Sequence, residues 1–158
     1  MQGAIICIGK IKEKYIRQAA DEYIKRLSRF VQLEEAQLPD LPEPANSSPA
    51  LEKQLLVKEG ESILSKIKPG DYVIALCIEG VHISSEELAH RLNACKSGGR
   101  RPVFVIGGSL GLSDAVKARA DERLSLSKMT FPHQLARVML LEQWYRAEKI
   151  SANERYHK

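Results

Sequence analysis

At 158 residues the chain has room for one domain with its own core and too little for two. Its composition, 44% hydrophobic and 28% charged, is that of an ordinary globular protein, and with no apolar run of about eighteen residues a membrane-spanning helix is excluded. Twenty-four Lys and Arg against twenty Asp and Glu leave a net charge of +4, which permits an anionic partner such as RNA without demanding one.

The first apolar run, GAIICIGK, has no basic segment ahead of it and is expected to be a strand rather than a secretory leader. In KYIRQAADEYIKRLSRF, Ile16, Ala19, Ala20, Tyr23, Ile24, Leu27 and Phe30 recur at helical spacing, with Arg17, Lys25, Arg26 and Arg29 on the rest of the surface. VQLEEAQL predicts a second strand. PDLPEPANSSP, with four prolines in eleven residues, predicts an irregular, mobile loop. A helix follows in ALEKQLLVKEGESILSKI, with Leu51, Leu55, Ile63, Leu64 and Ile67 as its apolar stripe. DYVIALCI is nearly all apolar, as a strand covered on both faces must be. SSEELAHRLNACK opens a helix with a capping box, Ser84 with Glu87 three residues on. PVFVI is a second doubly buried strand, SDAVKARA starts a helix at Ser113, and RLSLS predicts a short fifth strand. The last helix is FPHQLARVMLLEQWYRAEKI, with Pro132 in its first turn, and the tail is SANERYHK.

This alternation predicts a single α/β domain with a parallel sheet and helices on both faces. The last helix carries Leu135, Ala136, Val138, Met139, Leu140, Leu141, Trp144, Tyr145 and Ala147 around most of its circumference. A terminal helix that apolar is expected to be buried all round, part of it against a second subunit. The three cysteines, Cys7, Cys77 and Cys95, are odd in number and widely spaced. They read as buried reduced thiols of a cytoplasmic protein, and the four histidines have no ligand spacing, so no metal site is expected.

VFVIGGSLGLSDA has the form of a nucleotide loop: strand, glycines, helix start. It fails the dinucleotide fingerprint, because Ile106 stands where the first glycine belongs and the acidic residue expected about twenty positions on is replaced by the neighbourhood of Lys128. It fails the P-loop pattern too, since Leu112 and Ser113 occupy the closing glycine positions and no Lys follows. That disfavours a nucleotide-dependent oxidoreductase. Two readings stay open: a plain strand-to-helix turn, or a cradle for a ligand without phosphate.

The glycine loop, the segment LSLSKMTFPHQLARVMLLEQWYRA and the tail NERYHK occur in order and at a spacing that resembles the RlmH family, and YVIALCIEG, SSEELA, IICIGK and EYIKRLSRF extend the likeness over nearly the whole chain. Those are SPOUT-class methyltransferases of a pseudouridine in 23S ribosomal RNA. The resemblance implies one SPOUT domain over residues 1–158, with a C-terminal trefoil knot at about 103–150 and a catalytic tail at 151–158. It implies a homodimer, S-adenosylmethionine as cofactor, and transfer to N3 of the pseudouridine in the assembled ribosome, in the cytoplasm, with no membrane and no metal. Such a ligand needs glycines for room and peptide groups for the adenine edge. Carried over by position, the cofactor contacts are Leu76, Gly108, Ser127, Lys128, Met129, Thr130, Phe131 and Pro132, with Leu76, Met129 and Phe131 walling the adenine. The implied catalytic residues are His157 as base, Tyr156 as stacking group or donor, and Arg146 for a phosphate or developing negative charge, with His133 and Glu142 as further candidates. Arg26 and Arg29 are candidates for the RNA backbone. The family usually has Pro before the tail Tyr, and this chain has Arg155. A non-catalytic, knotted ribosome-binding or RNA-binding protein is the competing reading.

Overall fold

The computed structural model describes residues 1–156. β1 (Gln2–Ile8) is buried from Gly3 onward on both sides of its pleat, and this is why its sequence does not alternate. It pairs in parallel with β2 (Gln32–Leu38) on one edge and with β4 (Arg101–Ile106) on the other. β4 pairs in parallel with β3 (Asp71–Val81), and β3 with the three-residue β5 (Glu122–Leu124). The result is one five-stranded parallel sheet in the order β2-β1-β4-β3-β5.

Alternate residues of the strands feed two separate cores. Ile5, Cys7, Ile74 and Phe104 face helices α1 (Lys14–Leu27), α3 (Ser85–Ser97) and α5 (His133–Ser151). Ala4, Ile6, Ile8, Val73, Ala75, Val103 and Val105 face α2 (Pro49–Leu64) and α4 (Asp114–Arg119). Helix starts follow the sequence closely. Ser48 caps α2, Ser84 and Glu87 form the expected capping box on α3, and Ser113 caps α4.

Two expectations need correction. RLSLS is not a strand throughout: β5 stops at Leu124, because β3 bulges between Leu76 and Val81 and offers a matched edge for only three residues. Beyond it, the Ser125 hydroxyl donates to Ser127 O at 2.9 Å and turns the chain away. The proline-rich loop is irregular but pinned, by Leu41 N–H on Glu59 and by the Ser109 hydroxyl on Glu43. Within a single chain, α5 is covered along one stripe. Lying between α1 and α3, it buries one stripe that includes Leu140, Leu141, Trp144 and Ala147, while Leu135 is exposed and Val138 and Met139 are half-buried. Trp144 belongs to the chain's own core. It has no exposed surface, its ring centre is 4.8 Å from that of Phe104, and it fills the space a side chain at Gly3 would need.

Candidate active site

The C-terminal ends of β3, β4 and β5 open into a cavity of about 680 Å³, the place where open α/β sheets bind ligands. Three segments enclose it: the overhang of β3 from Leu76, the glycine loop, and the run from Leu124 into α5. Of the cofactor residues expected from sequence, Leu76, Gly108, Ser127, Met129, Thr130, Phe131 and Pro132 line this cavity; Lys128 does not, and its side chain points to solvent. His133 lines it as well.

The glycine loop closes on itself. A Cβ on Gly107 would lie 2.2 Å from Gly111 O, so no side chain fits there. Gly111 has φ +81° and donates its N–H to Gly108 O at 3.1 Å, a left-handed turn that suits glycine. Gly108 behaves differently from expectation. A Cβ there would meet Ile8 at 3.1 Å and Asp40 at 3.6 Å, neither of which lines the cavity, so a larger residue would prop the loop off β1 rather than fill the ligand's space.

The cavity floor is apolar, with Ile106 and Leu124 almost fully buried and Leu76 partly so. Its rim is bare hydrocarbon, since Ile78 and Met129 are 81% and 74% exposed. Met129 reaches this position through a turn in which its N–H donates to Ser127 Oγ at 3.0 Å. Burial pushes the Cys77 thiol up, which disfavours the thiolate. Glu79 is the only carboxylate among the described residues lining the cavity, and it is ion-paired with Lys117. The Lys117 hydrogen bond holds the Glu79 carboxyl below the usual range. Among the described residues no group of His, Cys, Asp and Glu could hold a metal ion. The volume suits a cofactor-sized ligand. An apolar floor, peptide groups from two loops and one rim carboxylate suit an adenosine with a cationic end, and the single cavity Lys is already paired, so a pyrophosphate is not provided for.

The proposed catalytic residues gather elsewhere. Tyr156 folds back on α5, its hydroxyl donating to Glu142 at 3.2 Å, its ring edge-on to Tyr145 at 4.9 Å and beneath the Arg146 guanidinium at 4.7 Å. Arg146 also pairs with Glu142. Burial first, then the Glu142 charge, push the Tyr156 phenol up to about 12, so near neutral pH it donates a proton in hydrogen bonds and does not act as a base. His157 lies outside the described residues. Arg26 pairs with Glu22 at 2.8 Å and Arg29 with Glu154 at 2.7 Å. Arg146 is ten residues beyond Ala136, the last residue of α5 to line the cavity, on a continuous helix, an axial separation of about 15 Å at about 1.5 Å per residue. Neither Arg146 nor Tyr156 lines the cavity of its own chain.

A family model described as "Predicted SPOUT methyltransferase" matches residues 1–157. The chain belongs to the SPOUT methyltransferase family. Its curated relatives include "Ribosomal RNA large subunit methyltransferase H 1" of Clostridium perfringens, 54% identical over 159 residues and all of both chains. "Ribosomal RNA large subunit methyltransferase H" of Bifidobacterium animalis subsp. lactis is 52% identical over 98% of both chains. The likeness to the RlmH family is thus a full-length one. Among solved structures, "The structure of a probable methylase family protein from Haemophilus influenzae Rd KW20" superposes with a TM-score of 0.55 at 15% identity, covering 98% of this chain and 70% of that one, and supports the SPOUT fold alone. For this SPOUT family member, sequence reasoning missed Glu79, Lys117 and Ile78. The available signal was the polar break Glu79-Gly80 just after the apolar strand YVIALC, at a strand end where ligands bind.

Proposed function

We propose that this chain is an S-adenosylmethionine-dependent methyltransferase acting on N3 of a pseudouridine in 23S ribosomal RNA. One observation carries the reading: the glycine loop, the end of YVIALCIEG and the LSLSKMTFPH segment, all part of the resemblance, converge on one cavity, at strand ends, with no provision for phosphate. When bound, S-adenosylmethionine supplies an electrophilic methyl group on a sulfonium. Leu76 and Phe131 would wall the adenine, and the peptide groups of the glycine loop and of residues 127–132 would read its polar edge. The acceptor nitrogen must lose its imide proton. His157 takes that proton, Arg146 offers fixed positive charge to the developing anion, and Tyr156, held protonated, donates a hydrogen bond.

The separation along α5 supports a homodimer in which the partner subunit's Tyr156 and the partner subunit's Arg146 reach the cavity. The exposed Leu135 and half-buried Val138 and Met139 offer an apolar strip for such a contact. The same reading takes residues 1–158 as one SPOUT domain knotted at about 103–150. A net charge of +4 is small for gripping RNA alone, which favours the assembled ribosome in the cytoplasm as substrate. No helix of the described residues is long and apolar enough to cross a membrane. The test is radiolabelled methyl transfer to naked RNA, subunits and whole ribosomes from a strain lacking the enzyme, alongside calorimetry with the cofactor. Transfer to ribosomes is expected. Cofactor binding without transfer to any of the three would favour the non-catalytic alternative.

A further inference from the structure

We propose that Glu79 is the counter-charge for the cofactor's sulfonium, and that its carboxylate makes the cavity prefer S-adenosylmethionine over the demethylated S-adenosylhomocysteine. The proposal rests on the methyltransferase reading and adds a residue to it.

The backbone holds Glu79 in place from both sides. Leu124 pairs with Leu76 before the bulge of β3 and with Val81 after it, and Ser125 N–H donates to Val81 O at 2.9 Å. The residues between are thrust over the cavity. Gly80 fits so closely on β5 that a Cβ would lie 2.4 Å from the Leu124 carbonyl carbon. The overhang is therefore seated on β5, and Glu79 projects from a fixed platform.

Chemistry narrows the partner. Every other wall of the cavity is apolar, peptide or hydroxyl, apart from Lys117, His133 and the Cys77 thiol. Glu79 stands at the open end beside the bare Ile78, its side chain 41% exposed, where a transferable methyl must also lie to meet an RNA base. Lys117 engages Oε1, and a sulfonium, having no N–H or O–H to donate, would be drawn to the carboxylate by charge alone. On transfer the carbon–sulfur bond breaks and its electron pair stays on sulfur. The methyl bonds to the acceptor nitrogen, and the imide proton leaves to the base. The sulfonium becomes a neutral thioether, so a carboxylate facing it attracts the reactant and not the product.

The test is calorimetric titration of the full-length protein with each ligand separately, for the wild type, Glu79→Gln and Glu79→Asp. Glu79→Gln should weaken S-adenosylmethionine binding about fivefold, the upper end for a half-exposed ion pair, while S-adenosylhomocysteine changes less than about twofold. Glu79→Asp should keep part of the preference, and added salt should narrow it in the wild type. Equal weakening of both ligands would overturn the proposal, since the carboxylate would then serve a part common to both, or only the platform. Unchanged affinity for both would overturn it as well. A wild type that binds neither ligand would sink the underlying methyltransferase reading instead.

Discussion

The distance of about 15 Å along α5 can be turned into a number for activity. Take two inactive variants. Gly107→Val places a side chain where even a Cβ would lie 2.2 Å from Gly111 O, so the loop must open and the cavity is lost. Deletion of residues 156–158 removes the tail and leaves the cavity residues alone. Each homodimer lacks one component in both of its sites. In a heterodimer, the tail-deleted subunit keeps an intact cavity and receives the intact tail of the other, so one of two sites is complete. Differently tagged subunits, co-expressed and purified as the heterodimer, should show about half the wild-type rate of methyl transfer to ribosomes. An unfractionated random mixture should show about a quarter, because half its dimers are mixed. Trp144 is the only tryptophan and is fully buried, so its fluorescence verifies that each variant is folded before rates are compared. A folded heterodimer as inactive as its parents would mean that the tail serves its own cavity, and the argument from the separation would be wrong.

Trp144→Ala should cost about 3–5 kcal/mol in urea unfolding, as expected of a core residue; a smaller loss than about 1 kcal/mol would contradict its packing on Phe104. Leu135→Glu, on the exposed side of α5, should keep the fold and shift sedimentation toward monomer. Burial would push the Asp71 carboxyl up, but its paired bonds from Arg101 at 2.9 and 2.8 Å and the Lys68 N–H at 2.8 Å prevail and hold it below its ordinary value. A group lowered in the folded state adds stability above its unfolded pKa and loses it as pH falls through the folded one. Wild-type melting temperature should therefore drop below about pH 4, and Asp71→Asn should flatten that part of the curve; an unchanged slope would count against the pair. Tyr156→Phe should slow methylation while keeping any inflection of the pH–rate profile near neutrality, since a phenol pushed up to about 12 is not the titrating group; loss of the inflection would make Tyr156 the base.

The apolar runs disclosed the centre of the sheet because β1, β4 and the first half of β3 are covered on both faces or nearly so, and such strands need no partner information to be recognised. β5 was overread because its end is set by a bulge in β3, a property of the pairing and not of Leu124–Ser127 themselves. The glycines marked the loop, yet which glycine is sterically obligatory depended on where Gly111 O and Ile8 come to rest, and that singles out Gly107. Helical spacing exposed the apolar girth of α5 without saying which stripe α1 and α3 would claim. Glu79 escaped notice because a single carboxylate after a strand looks like any solvated turn until the overhang is seen to project it over the cavity. The tail residues were legible as chemistry and illegible as placement, since their relation to the cavity is set by how far one helix carries them.

The position of β1 governs how the chain can be made. Its two neighbours are β2, about thirty residues on, and β4, with Ala4 opposite Val103 about a hundred residues on. At roughly 5–20 residues per second, a ribosome synthesising this chain needs on the order of 5–20 seconds to deliver the second neighbour. During that interval Ile5, Ile6 and Cys7 have one strand partner and an open apolar edge. Pairing so distant in sequence also makes closure of the sheet slow once synthesis ends. The newborn protein thus has an interval of exposure in which it is a substrate for chaperones and a hazard for aggregation, set by the order of its strands and independent of its final stability.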